Sequence, residues 1–167
     1  MRCVFHGSNM VIERPLTNIG RENLDFGVGF YVTSIQSQAE MWAGIKGRYF
    51  LQDVSFVSTY DFDFDAAVSH FSYRKFAHYD SEWLHFIVDN RRGGDDWKKF
   101  DIIEGGVAND RVIDTVENYM AGLIDEEFAL KQLSKHQPNN QICIVNQEVI
   151  DKYLCFVDSF QVKTDVE

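Results

Sequence analysis

Two short words near the start of the chain carry the residue types with the most chemical reach: Phe5-His6-Gly7-Ser8 and Gly27-Val28-Gly29-Phe30-Tyr31-Val32-Thr33. Each reads as a strand passing beside glycine, so each sets a ring-bearing polar side chain next to open backbone. A His and a Tyr presented this way suit a flat aromatic amide and its ribose, with the Gly7 amide and carbonyl bonding the carboxamide in pairs. A third word, Asn139-Asn140-Gln141-Ile142-Cys143-Ile144, closes the grip from a late strand. Strand alternation sends Phe30 and Val32 into the core and leaves Tyr31 and Thr33 on the other face. On that face Gly27 and Gly29 leave room for a ligand against the backbone. Taken alone, His6 and Tyr31 each read more simply as packing; their conjunction is what points to a site.

The elements that must hold these words follow from periodicity and punctuation. Residues 2–6 and 28–33 read as strands, separated by a loop of turn-formers and charges from Gly7 to Phe26. Thr33-x-x-Gln36 matches a capping box, and Ile35, Ala39, Trp42, Ile45 and Tyr49 recur at helical spacing, predicting an amphipathic helix over 35–47. Residues 49–58 read as a buried strand. The acidic word Asp61-Phe62-Asp63-Phe64-Asp65 opens a helix to about Phe71, and Ser81–Asn90 reads as another, with Trp83, Phe86 and Ile87 inward. Phe100–Glu104 is a short strand, and Gly105-Gly106 turns it into a helix from Asn109 or Asp110 to Ala121. Helix 126–134, strand 141–145, a short helix capped by Asn146 and strand 154–162 complete the chain. Strands and helices intermix without a βαβ rhythm, so the expected class is α+β, in a single domain over residues 1–167.

At a formal net charge of −10, non-specific nucleic-acid binding is a poor fit, because phosphate attraction needs clustered Lys and Arg. Cys3, Cys143 and Cys155 sit in apolar strand-like runs and read as buried free thiols. No His-x-x-x-His or Glu-x-x-His spacing occurs, and no metal is expected. Met1 leads into Arg2-Cys3-Val4 without a hydrophobic signal region. No apolar run nears the roughly 20 residues that span a bilayer. The expectation is a soluble, cytoplasmic protein that keeps away from membranes.

The run Phe5-His6-Gly7-Ser8, then Leu24-Asp25-Phe26-Gly27-x-Gly29-Phe30-Tyr31-x-Thr33, with Gln38-Ala39-x-x-Trp42-Ala43 behind it, resembles an uncharacterised bacterial family grouped with the ADP-ribosyltransferases. The words Phe100–Asp110 and Asn140-Gln141-Ile142-Cys143-Ile144 are similar to that family's remaining blocks, so the resemblance covers nearly the whole chain. It implies a split two-sheet fold with NAD+ in a central cleft and flanking helices. In the His-Tyr-Glu branch the first-strand His bonds the nicotinamide ribose, the next residue grips the carboxamide, and the second-strand Tyr stacks on the ring. The third residue bonds the ribose hydroxyl and steadies the positive charge that grows as nicotinamide leaves. Those positions are His6 with Gly7, Tyr31 and Gln141, supported by Ser8, Gly29, Thr33 and a second ring, Trp42 or Tyr49. Arg14 and Arg21 lie in the loop that passes near the phosphates in this fold, where either would pair with pyrophosphate or remain a solvated surface charge.

The chain departs from that branch at Gln141, where Glu is usual. An amide accepts a hydroxyl bond but brings no charge to an oxocarbenium-like state, which argues against chain elongation more firmly than against transfer of a single unit. Asp110 reads either as a helix cap or as a compensating acid, and Glu104 and Glu148 are weaker substitutes. The resemblance implies an NAD+-dependent mono-ADP-ribosyltransferase acting on a protein or nucleic-acid acceptor held near loop 135–140. Small acidic proteins of this kind often serve as toxins of toxin–antitoxin modules, which makes a cognate antitoxin an expected partner. The alternatives are a catalytically silent relative that binds NAD+ or a protein partner, favoured by Gln141, and an RNA 2′-phosphotransferase-like enzyme, disfavoured by the charge and by Tyr31.

Overall fold

The computed structural model describes residues 1–109 and 112–163. Its described residues form seven strands and six α-helices in the order β1 (Arg2–Ser8), β2 (Phe30–Val32), α1 (Gln36–Tyr49), β3 (Val54–Phe62), α2 (Phe64–His70), β4 (Tyr73–Phe76), α3 (Ser81–Arg91), β5 (Ile102–Gly105), α4 (Ile113–Met120), α5 (Glu126–Leu133), β6 (Gln141–Ile144), α6 (Gln147–Tyr153) and β7 (Leu154–Lys163). The strands divide into two sheets, β1-β3-β7 and β2-β6-β5-β4, and the class is α+β. All pairings are antiparallel except β4 with β5.

One apolar layer lies between the sheets. It joins Val4, Tyr60 and Phe62 of the first to Phe30, Val32, Ile102, Ile142 and Ile144 of the second. Phe30 and Val32 therefore enter the core as alternation requires. The second sheet's other face carries Ile103 and Cys143, packed with Phe26, Phe76 and the helical residues Trp83, Leu84, Ile87, Val116, Ala129 and Leu133. On the first sheet's outer face Phe5, Val57, Phe160 and Val162 meet Ala39 and Ala43 of α1. The order of layers is α1, first sheet, second sheet, then α3 to α5.

The helix α1 turns a different face inward from the one its apolar spacing predicts. Its buried residues are Gln38, Ala39, Ala43, Gly44 and Gly47. Ile35, Ile45 and Tyr49 are 40, 47 and 79% exposed. The cause is close approach: a Cβ at Gly7 of β1 would lie 2.0 Å from the Ala39 carbonyl oxygen and 2.7 Å from the Ala43 nitrogen. Only small residues fit between a helix and a strand at that separation. The helix also runs to Tyr49, so the strand expected over 49–58 begins at Val54 and ends at Phe62. Asp61 and Phe62 belong to that strand rather than to the helix expected there. The N-cap position of α1 is Ile35 and has no side-chain cap. Thr33 instead donates from its hydroxyl to the Asn140 carbonyl (2.7 Å) and accepts from the Ile35 amide (3.1 Å), so the expected capping box is not formed.

Strand β4 has no counterpart in the sequence reading. Asn146 caps α6 as expected, accepting from the Glu148 amide at 2.9 Å. Of the three cysteines, Cys143 is buried and Cys3 and Cys155 are exposed, which corrects the reading of all three as buried. Both pair in register with Asp61, in one row across the first sheet.

Candidate functional site

The two sheets touch as a continuous ladder at one point. Phe5 donates to the Thr33 carbonyl at 2.8 Å and Thr33 donates back to the Phe5 carbonyl at 3.0 Å. Beyond this bridge β1 and β2 part. Continuing the antiparallel register sets Gly7 opposite Tyr31 across the gap. In such a ladder every second residue turns both backbone groups to the same edge, so Gly7 aims its N–H and C=O the way Phe5 does, into the gap. This is the pair of groups a carboxamide needs.

His6 sits at the mouth of the same gap. Its ring lies 4.5 Å from that of Phe30, and its Nδ1 lies 2.6 Å from the Tyr31 carbonyl oxygen. A carbonyl oxygen only accepts, so Nδ1 carries the hydrogen and donates, which leaves the Nε2 lone pair as an acceptor for a hydroxyl. Burial first, and the Lys46 ammonium behind it, lower the His6 pKa to about 4 against the opposing bond to the Tyr31 carbonyl. The ring is neutral near pH 7. Protonation then favours the unfolded chain, so this part of the stability is complete above about pH 6.5 and is lost as pH falls toward 4. The full linkage of such a shift is about 3 kcal/mol. The ring is partly exposed at the surface, and solvent screening brings it to about 1–2 kcal/mol. Urea midpoints at pH 7.5 and 4.5 should therefore fall further for the wild type than for His6→Gln. Equal falls would show that the imidazole feels no such field.

Tyr31 is held more tightly than a free stacking platform. Its hydroxyl donates to the Gly27 carbonyl (2.6 Å) and accepts from the Phe26 amide (3.2 Å). Burial raises its pKa, with the Cys143 thiol beside it adding to the shift. The turn it grips is anchored by buried Asp25, whose Oδ1 meets Arg91 Nε at 2.5 Å and whose Oδ2 accepts from the Ala108 amide at 2.7 Å. The room beside Gly27 and Gly29 is taken by protein, which corrects the expectation of open backbone there. A Cβ at Gly27, whose φ is +78°, would lie 2.2 Å from the Trp97 ring, and one at Gly29 would lie 2.5 Å from Cys143 Sγ.

Gln141 opens β6, which pairs Cys143 with Tyr31 and Ile142 with Val32. One step on, Gln141 stands level with Thr33 and shares the Tyr31 face of the sheet. It is 7% exposed. Its carboxamide has no hydrogen-bond partner among the described residues, and neither of its polar atoms is a fully enclosed orphan. The strand start is stapled by Asn140, whose Oδ1 accepts from the Ser34 amide and hydroxyl at 3.1 and 2.8 Å.

The remaining sequence-derived residues divide. Trp42 is half-buried on α1, beside the segment that Gly7 abuts. Tyr49, the alternative ring, is exposed and packs edge-on against Phe50 with centroids 5.1 Å apart. Ser8 is buried and donates to Asn9 Oδ1 at 3.4 Å. Arg14 and Arg21 are exposed. Arg21 lies close enough to the half-buried Lys46 ammonium to lower its pKa, behind the larger effect of burial. Glu104 is a buried anchor rather than a spare acid: it takes Arg2 at 3.3 Å, Asn140 Nδ2 at 3.2 Å and the Tyr73 hydroxyl. Glu148 pairs with Lys152 on α6 at 2.7 Å. Asp110 lies outside the described residues. Two surface cavities of about 620 and 480 Å³ lie elsewhere, around Arg74, Phe86 and Tyr119 and around Leu24, Arg91 and Met120; His6, Tyr31 and Gln141 line neither.

Lys46 escaped the sequence reading. The only sequence signal for it is its place four residues after Trp42, on the same helix edge. Among the described residues there is no group of three or more His, Cys, Asp or Glu that could hold a metal ion, and no helix is long and apolar enough to cross a membrane.

Fold and gap together define an α+β protein whose two stacked sheets meet, among the described residues, at a single bridge. Residues 2–156 match a family described as a protein of unknown function (DUF3990), and the chain belongs to that family. The comparisons with curated proteins and with solved structures gave no match.

Proposed function

We propose that the gap between β1 and β2 binds NAD+ and that the protein is a mono-ADP-ribosyltransferase of the split two-sheet kind. The observation that carries this reading is the alignment of three groups at one gap: the Gly7 backbone pair, the acceptor Nε2 of a neutral His6, and the Tyr31–Gln141 face one strand over. Nicotinamide sits with its carboxamide on Gly7, flanked by Tyr31 and Trp42. His6 Nε2 accepts a ribose hydroxyl, and Gln141 bonds a second. The bond from ribose C1′ to the nicotinamide nitrogen breaks, nicotinamide leaves with the electron pair, and a nucleophile on an acceptor macromolecule forms the new bond at C1′. Loop 135–140, which leads into Gln141, borders the place where that acceptor approaches. A toxin whose antitoxin covers this gap is the biological role we attach to the reading.

The test is nicotinamide release from labelled NAD+. Wild type should release it, while Tyr31→Ala and His6→Ala, each shown folded by circular dichroism, should fall at least tenfold. Equal release from all three would overturn the site. A second reading, a silent NAD+-binding relative, is favoured by one observation: the buried carboxylate nearest Gln141 along the sheet, Glu104, is fully engaged elsewhere. NAD+ binding without release would select it.

A further inference from the structure

The outer face of α1 carries an apolar row that the fold leaves open. Met41, Ile45 and Tyr49 recur every four residues, so they form one ridge about 12 Å long. The ridge on the opposite side of the helix, Ala39, Ala43 and Gly47, is the one that is buried. Met41 and Ile45 are 43 and 47% exposed, and Tyr49 is 79% exposed. Phe50 and Leu51 carry the row past the helix end at 53 and 83%. Single exposed apolar side chains are ordinary, but a continuous row marks a contact surface. Together these residues leave open the equivalent of about three large side chains, on the order of 600 Å² at roughly 200 Å² each. That approaches the ~800 Å² that one partner gives to a standard interface.

The ridge beside this row points to what covers it. Gln36, Glu40, Gly44 and Arg48 also recur every four residues. The acid stands toward the start of the helix, the base toward its end, and glycine midway. Turned end for end, that order is its own complement. A second α1 running antiparallel sets Glu40 against Arg48 of the other copy, and does so twice, with Gly44 facing Gly44. The apolar ridge shares the same centre, because Met41 then meets Tyr49 and Ile45 meets Ile45. One twofold axis between Gly44 and Ile45 serves both ridges. Gly44 itself has no packing reason within the chain. A Cβ there would meet nothing nearer than Arg48 Nη1 at 3.7 Å, the far end of a flexible side chain. Glycine in the middle of a helix costs up to about 1 kcal/mol against alanine. A neighbouring helix supplies the reason, since Ile45 of one copy fits the notch that Gly44 leaves in the other. Within the chain Glu40 is held by the neutral Gln36 at 2.8 Å, a weaker partner than a guanidinium.

We propose that two copies of this chain pair through α1, antiparallel about a twofold axis between Gly44 and Ile45. The apolar ridges form the centre of the contact, and the two Glu40–Arg48 pairs close its flanks and fix its direction. The pairing does not depend on what the gap between β1 and β2 binds.

The test is sedimentation equilibrium of the full chain from about 1 to 100 μM, the range in which a contact of this size should show a monomer–dimer equilibrium. Ile45→Asp should weaken pairing at least a hundredfold, because it puts two carboxylates on the axis. Its circular dichroism should match the wild type, since Ile45 is half open in the single chain. Arg48→Glu should weaken pairing at least tenfold by setting acid against acid. The double variant Glu40→Arg with Arg48→Glu should recover to within about threefold of the wild type. A folded Arg48→Glu that pairs as the wild type does, or a double variant that fails to recover, overturns the antiparallel arrangement. A wild type that stays monomeric across the range overturns the inference. If that monomer sediments with vesicles of phosphatidylcholine and phosphatidylglycerol, the row belongs to a lipid surface instead.

Discussion

On the proposed transferase reading, Gln141→Glu should raise the rate of nicotinamide release from NAD+ by about two orders of magnitude, roughly 3 kcal/mol of transition-state stabilisation. As nicotinamide leaves, positive charge builds on the ribose. A carboxylate beside that charge stabilises it; a carboxamide supplies only a dipole. The exchange is close to isosteric, and the Gln141 carboxamide has no protein partner among the described residues that a carboxylate would lose. A folded Gln141→Glu that binds NAD+ as the wild type does, yet releases nicotinamide no faster, would show that the third position does not face the reacting carbon. The proposed transferase mechanism would then lose its third residue.

Much of the architecture could be read from punctuation and period. Asn146 and Asp125 each accept from an amide of the helix they precede, as their sequence positions suggest. Phe30 and Val32 are buried because a two-residue period admits nothing else on a strand between two layers. The misreadings share a different cause, the close approach of neighbours that no local window contains. Apolar spacing on α1 points to Ile35, Ile45 and Tyr49, yet the helix rests so near β1 at Gly7 that the small residues Ala39 and Ala43 lie beneath it instead. Gly27 and Gly29 look like space left for a ligand, and in the fold that space belongs to Trp97 and Cys143, distant in the chain. The four-residue strand Tyr73–Phe76 alternates too briefly to register, and it exists because β5 offers it a parallel edge.

The candidate site shows the same division. His6, Gly7, Tyr31 and Gln141 were legible as words, because strand, glycine and ring stand next to one another in sequence. What the words omit is electrostatic company. Nothing in Gly44-Ile45-Lys46-Gly47 announces that Lys46 lies near both His6 and Arg21, since that proximity depends on how α1 is rolled against β1. Gly7 permits that close approach.

Gly7→Ala is accordingly expected to cost about 4 kcal/mol or more of folding stability. The added Cβ would stand 2.0 Å from the Ala39 carbonyl oxygen and 2.7 Å from the Ala43 nitrogen, both backbone atoms that no side-chain rotation can move aside. Relief requires α1 to slide or lift from β1, and either motion uncovers Phe5, Val57, Phe160 and Val162, which pack against Ala39 and Ala43. Gly44→Ala is the control. Its Cβ would meet nothing nearer than Arg48 Nη1 at 3.7 Å. In the middle of a helix, Ala is favoured over Gly by up to about 1 kcal/mol. Urea denaturation of the two variants should move in opposite directions. A Gly7→Ala protein within about 1 kcal/mol of the wild type would mean that the helix stands farther from the strand.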